Sequence, residues 1–353
     1  MKLSNVSGNT FVILKGTLKN ANYRGIKMRK NVKIFLVLAL MLAIGIMTAC
    51  TAAPKSSSES ANESNGEKAD GKLTIGLSVG TLANPFFVAM GKGVEEAGKE
   101  LGADVLVESA EYDLAKQTSQ IENFITKKVD VILLNAVDTK GIAAAVQMAK
   151  DAGIPVIAVD TNAEGGVDAT VTSDNYQAGK LAGEYVIEQL GGKGNIAIID
   201  GPPVSAVTDR IKGFEDAIKD SDIKVIAKQN GEGNREKALT VMESILQANP
   251  SGTIDAVFAI NDPEAIGVEI AQEQAGRKDE FFIVGVDGAP EAAEAMAKEG
   301  SSIKATSAQS PAEMVKKAVE IGMKVKNGEK VEELIKVPVT LVTQEELDSY
   351  KGW

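Results

Sequence analysis

Beyond residue 72 the chain predicts an α/β fold built as two doubly wound parallel-sheet lobes. Three observations lead there. Short runs of Val, Ile, Leu and Ala recur over 72–79, 103–109, 129–134, 155–159, 169–172, 195–199, 224–228, 256–260, 281–286 and 304–308. They show little polar alternation, as strands covered on both faces of a parallel sheet do. Helical patterns fill the gaps over 86–101, 114–127, 142–152, 178–190, 207–219 and 235–248, and Gly102, Gly153 and Gly191 stand at C-cap positions after three of them. The third observation is an internal correspondence. Asn135 and Asp160 end successive apolar runs, and Asn261 and Asp287 do the same later, each pair bracketing one helix. The roughly 280 residues after the N-terminal region suit two such units.

Each element bears on where chemistry sits. Ligands of open α/β sheets bind at the carboxyl ends of the strands. Two similar halves, with those edges facing, bring four polar side chains to one cleft. The competing reading makes these residues caps of helices and turns. Asn84 before Pro85 and Asp262 before Pro263 fit N-caps with Pro in the first turn.

The N-terminal region reads as targeting. Arg29, Lys30 and Lys33 precede an apolar run over 34–47, and small residues lead to Cys50, the single cysteine. The run is shorter than the roughly 20 residues a spanning helix needs. It resembles a bacterial lipobox, with Met47 where Leu is usual, and implies a lipidated Cys50. Translation is expected to start at Met28, with 1–27 an upstream extension, 28–49 a lipoprotein signal peptide and 50–71 a flexible tether too poor in apolar residues to fold. Residues 1–49 carry eight Lys/Arg and no Asp/Glu, so removing 1–49 takes the net charge from −11 to −19. Such a surface repels nucleic acid and anionic headgroups. The chain has no histidine, which excludes His-based triads and His-ligated zinc. With one Cys there is no intramolecular disulfide. No cofactor and no metal site is expected.

Six ordered segments carry a resemblance: Asn84-Pro85-Phe86-Phe87, Val159-Asp160, Ser173-Asp174-Asn175, Arg210-Ile211-Lys212-Gly213-Phe214, Ala259-Ile260-Asn261-Asp262 and Val284-Gly285-Val286-Asp287-Gly288, closed by Ala308-Gln309. Together they resemble the ribose-binding type of monosaccharide-binding proteins of ABC importers, the type I periplasmic binding proteins with a lactose-repressor-like sugar-binding fold. The resemblance implies a three-segment hinge, with crossings near 173–175, 308–310 and 337–339. Lobe 1 then comprises 72–173 plus 310–338, and lobe 2 comprises 174–309 plus 339–353.

The resemblance also implies the site. Phe86 and Phe87 cover the C–H face of a sugar, while Asn84, Asn135, Asp160, Asn261, Asp287 and Gln309 bind its hydroxyls. Three positions depart from the ribose pattern. Thr161 and Thr208, both retained as ligand-facing, stand where arginines are usual, and Gly233 stands where an aromatic is. Asn162, Thr161 and Asn234 are the candidates to compensate. Pentoses, hexoses and small polyols all stay open. The expected partners are a small neutral sugar or polyol, a membrane permease of an ABC importer, and the membrane through the lipid on Cys50; nucleic acid is not among them. The expected location is extracytoplasmic, lipid-anchored to the outer face of the cell membrane. A sugar-sensing subunit for chemotaxis or signalling is the alternative. A glycoside hydrolase using Asp160 and Asp287 is a weaker rival. A repressor-type effector domain lacks its basic N-terminal reader.

Overall fold

The computed structural model describes residues 71–350 and 352–353. The upstream extension, the signal peptide, Cys50 and the tether up to residue 70 lie outside the described residues. The first half of the fold contains β1 (Thr74–Val79), α1 (Pro85–Leu101), β2 (Asp104–Ser109), α2 (Leu114–Thr126), β3 (Val131–Leu134), α3 (Ala143–Asp151), β4 (Val156–Val159) and β5 (Ala169–Ser173). Its strands lie in the order β2-β1-β3-β4-β5. After α4 (Asn175–Leu190) the pattern repeats with β6 (Lys193–Asp200), α5 (Ser205–Ile218), β7 (Asp222–Asn230), α6 (Arg235–Ala248), β8 (Ala256–Ala259), α7 (Asp262–Gln274), β9 (Phe282–Asp287), α8 (Pro290–Met296) and β10 (Ile303–Ala308). The second order, β7-β6-β8-β9-β10, is the first one again. Helix α9 (Pro311–Lys326) packs back against α1 and β3 to β5.

Two short strands complete the sheets at six strands each. β11 (Leu334–Val337) adds parallel to β5, and β12 (Thr340–Thr343) adds antiparallel to β10. They were absent from the expected strands for a physical reason: both are half-exposed edge strands of four residues, without a buried apolar run. The chain therefore passes from sheet to sheet after β5, after β10 and between β11 and β12.

Each sheet has an apolar cluster on both faces, which explains its unalternating strands. Ile75, Leu77 and Val79 face α1 and α9, while Ile132 and Leu134 meet α2 and α3. In the second sheet Ala197 and Ile199 face α6 and α7, and Ile196 and Ile198 meet α4 and α5. There Phe214 stacks on Phe258 with ring centroids 4.2 Å apart.

Asp262 corrects the sequence reading. It is the first residue of α7, not its cap; Asn261 caps the helix by accepting from the Glu264 amide at 2.9 Å. The Asp262 carboxylate is buried and accepts from the Thr306 hydroxyl and the Ala289 amide, each at 2.7 Å, so it ties α7 to β10.

Helices α4 and α5 touch backbone to backbone. A Cβ on Gly179 would stand 1.8 Å from the Arg210 carbonyl oxygen, and one on Gly213 would stand 2.0 Å from that of Tyr176. The approach sets where Arg210 emerges. Gly179→Ala is expected to cost about 1–3 kcal/mol or more by forcing the helices apart; urea unfolding followed by circular dichroism measures it.

Candidate ligand-binding site between the two sheets

The carboxyl ends of both sheets face one cavity of about 80 Å3, room for on the order of five waters. The first half contributes Asn84, Phe86, Phe87, Tyr112, Asn135, Asp160 and Thr161; the second contributes Val207, Arg210, Gly233, Asn261 and Asp287. In the strand order given above, the sheet reverses direction of growth between β1 and β3 and between β6 and β8, and Asn84, Asn135 and Asn261 follow strands at those switch points.

Both strand-end aspartates have backbone dihedrals that L residues rarely adopt. Asp160 has φ +67° and Asp287 has φ +132°. Such conformations cost on the order of 1–3 kcal/mol each and gather at functional sites. They turn each carboxylate out of its strand and into the cavity. Asp160 Oδ2 accepts from Asn135 Nδ2 at 3.0 Å, while its Oδ1 is buried with no hydrogen-bond partner among the described residues. Asp287 Oδ1 accepts from Gln309 Nε2 at 2.7 Å, which leaves Gln309 Oε1 likewise unpartnered. Two buried acceptors at the end of these chains thus await donors.

The structure sorts the expected site residues by what they already hold. Asn84 lines the cavity and caps α1, its Oδ1 accepting from the Phe86 amide at 2.9 Å. Asn261 likewise does both, and its Nδ2 donates to the Gly233 carbonyl at 3.1 Å. Capping and lining are therefore not rival roles here. Asn135 accepts from the Gly80 amide at 3.0 Å and donates to Asp160, so it orients that carboxylate. Thr161 Oγ1 donates to the Ala136 carbonyl at 3.1 Å. Phe86 and Phe87 meet edge to face at 5.6 Å and belong both to the cavity wall and to the core. Gln309 is buried behind Asp287 and acts on the cavity through it.

Three expectations are corrected. Thr208 is exposed on α5 and donates to the Val204 carbonyl of its own helix at 3.1 Å, because its place in the helical turn points away from the sheet. Asn162 is spent locally, accepting from the Ala163 amide at 2.9 Å and the Thr170 hydroxyl at 3.1 Å. Asn234 caps α6, accepting from the Lys237 amide at 3.0 Å. Neither asparagine is among the cavity-lining residues.

Two site residues were missed. Arg210 is 5% exposed, donates from Nε to Asn175 Oδ1 at 2.8 Å and from Nη1 to the Ile260 carbonyl at 2.9 Å, and stands 3.8 Å from Asp287 Oδ1. Its signal was present: Ala206, Val207, Arg210, Ile211 and Phe214 form one buried stripe at helical spacing, and an arginine in such a stripe needs partners. Tyr112 brings an aromatic to the wall from a loop, with φ +55° and its ring against Gly80. It stands in the half opposite Gly233, and no periodic pattern marks it.

Residues 75–330 match the family described as the periplasmic binding protein domain. The chain belongs to the periplasmic binding protein family. Its members are solute-binding transport components that act outside the cytoplasm, not enzymes. This periplasmic binding protein is 37% identical over 319 residues to the ribose import binding protein of Bacillus subtilis (strain 168), covering 90% of this chain and 100% of the relative. A solute-binding protein of an ABC transporter from Actinobacillus succinogenes, solved with bound D-allose, superposes with a TM-score of 0.74 at 33% identity, over 79% of this chain and 100% of the other. One from Bacillus halodurans, solved with bound myo-inositol, has a TM-score of 0.74 at 33% identity, over 81% and 99%. The two-lobed α/β architecture is the type I arrangement.

Burial sets the protonation chemistry of this binding protein. It pushes the Asp160 carboxyl up to about 6, against the pull of the Arg210 guanidinium and the Asn135 hydrogen bond. It pushes Asp287 up to about 7, again opposed by Arg210 and by Gln309. Both groups hold protons more tightly folded than unfolded, where a carboxyl titrates near about 3.9. Their contribution to stability is full below that value and is lost as pH rises through 6 and 7. Without added ligand, the melting temperature is expected to fall from pH 5 to pH 8 more steeply than in the Asp160→Asn, Asp287→Asn double variant; calorimetric scans across that range check it.

Proposed function

We propose that the chain is a lipid-anchored, extracytoplasmic solute-binding protein of an ABC importer that captures a neutral monosaccharide or polyol and delivers it to a permease. The observation that carries this reading is the pair of strand-end aspartates turned into a shared cavity that the Phe86 and Phe87 rings also line, with Asp160 Oδ1 left as a buried acceptor and Gln309 Oε1 as another behind Asp287. A polyhydroxylated ring has the matching chemistry. Its hydroxyls donate to the carboxylates and accept from Arg210 or Asn84, and its C–H face lies on an aromatic ring. The ribose-, allose- and inositol-binding relatives support the same ligand class.

The lobes take the boundaries 72–173 plus 310–338 and 174–309 plus 339–353. A ligand bound first to one lobe recruits the other, and the closed state is favoured by as much as the second lobe's contacts contribute. The ligand-binding set is Asn84, Phe86, Phe87, Asn135, Asp160, Thr161, Asn261, Asp287 and Gln309, with Arg210 and Tyr112 added and Thr208 dropped. Asn135 and Gln309 act through the carboxylates they hold. Arg210 supplies a guanidinium to a cavity that the threonines at 161 and 208 leave short of one.

Calorimetric titration of D-ribose, D-allose, myo-inositol and further pentoses and hexoses into the domain tests the ligand. One of them should bind and raise the melting temperature by mass action, and Asp287→Ala should lower its affinity at least about 100-fold, since the sugar donors facing it go unpaired. Unchanged affinity in that variant removes Asp287 from the site. For the anchor, Cys50→Ser is expected to move the protein from the membrane fraction to the soluble fraction of expressing cells; retention in the membrane would rule out Cys50 as the attachment point.

A further inference from the structure

We infer that Trp353 is a positioning residue of the binding site, pinning the Asp287 turn from one side and backing the Phe86 ring on the other. The inference rests on the ligand-binding reading above. Asp287 at φ +132° is followed by Gly288 at φ +73°, so the carboxylate is aimed by a strained turn that only its surroundings can hold.

Four hydrogen bonds hold it. The Asp287 carbonyl accepts from the Gln309 amide at 2.8 Å and from Trp353 Nε1 at 2.7 Å, which uses both its lone pairs. The Gly288 amide donates to Thr306 Oγ1 at 3.1 Å, and the Gly288 carbonyl accepts from the Tyr350 hydroxyl. Two of these bonds come from β10 and the residue that follows it. The other two come from Tyr350 and Trp353, in the segment that follows β12. A Cβ on Gly288 would overlap Tyr350 Oη, and one on Gly352 would overlap Pro290, so the segment lies closely along the turn.

The indole reaches the opposite half as well. Its ring stands edge-on to Phe86, with centroids 6.0 Å apart and planes at 83°, and it packs with the α1 and α9 core cluster. Phe86 in turn meets Phe87 edge to face. Trp353 is not among the cavity-lining residues, so it touches no ligand directly. It joins the backbone turn that carries an acceptor carboxylate in one half to an aromatic wall of the other. An indole has one donor and no acceptor, and here that donor is committed to Asp287, which fixes the ring against Phe86.

The test uses Trp353→Ala and Trp353→Phe in the full chain, with two readouts. Hydrogen exchange without added sugar should show faster exchange at the Gly288 and Gln309 amides in both variants, because both lose the indole N–H. Calorimetry with whichever of D-ribose, D-allose and myo-inositol binds the unaltered protein most tightly should show at least a tenfold loss in Trp353→Ala and a smaller loss in Trp353→Phe, which keeps a ring beside Phe86. A lowered melting temperature with unchanged exchange and affinity within twofold would make Trp353 a mere anchor and overturn the proposal. If none of the three sugars binds the unaltered protein, the ligand class proposed above fails, and exchange at Gly288 and Gln309 decides the role of Trp353 alone.

Discussion

Two carboxylates, Asp160 and Asp287, are withdrawn from water with the Arg210 guanidinium near them, and much of the site exists to make that tolerable. An unpaired buried charge is costly, so each carboxylate is given partners: Asn135 for one, Gln309 for the other, and Arg210 near both. Those partners need places of their own. Arg210 is delivered by the glycine contact of α4 with α5 and is itself held by Asn175 and the Ile260 carbonyl. The aspartates must also leave their strands at unusual dihedrals, which the surrounding hydrogen bonds enforce. Stability is spent here on a binding geometry, and the four apolar clusters on the sheet faces offset it.

Much of this was legible in the residue order. Strands buried on both faces announce themselves as unbroken Val, Ile and Leu, and the repeated Asn/Asp pair marked the two edges that face each other. What was hidden depended on angles that no one-dimensional pattern carries. Thr208 and Arg210 are two residues apart on one helix, and a two-residue step turns the side chain by about 200°. Motif position favoured Thr208; helical phase favours Arg210. Tyr112 reaches the wall because Glu111 and Tyr112 both adopt positive φ, at 53° and 55°, in a stretch without glycine. The edge strands β11 and β12 were hidden because half-exposed four-residue strands have no apolar signature.

The asparagines show why capping and ligand contact need not compete. An N-cap side chain uses one oxygen lone pair on the helix and keeps its amide hydrogens. At Asn84 and Asn261 the helix start lies at the strand end, so the same residue that begins the helix looks into the cavity.

The three passages between the sheets run after β5, after β10 and between β11 and β12, and the last of them is only Pro338 and Val339. The strands flanking them, β11 with β5 and β12 with β10, are paired neighbours along one border of each sheet. Three tethers along a common border, one of them short and stiffened by a proline ring, resist sliding and separation alike. They leave swinging as the soft coordinate, as a door on three pins can only turn.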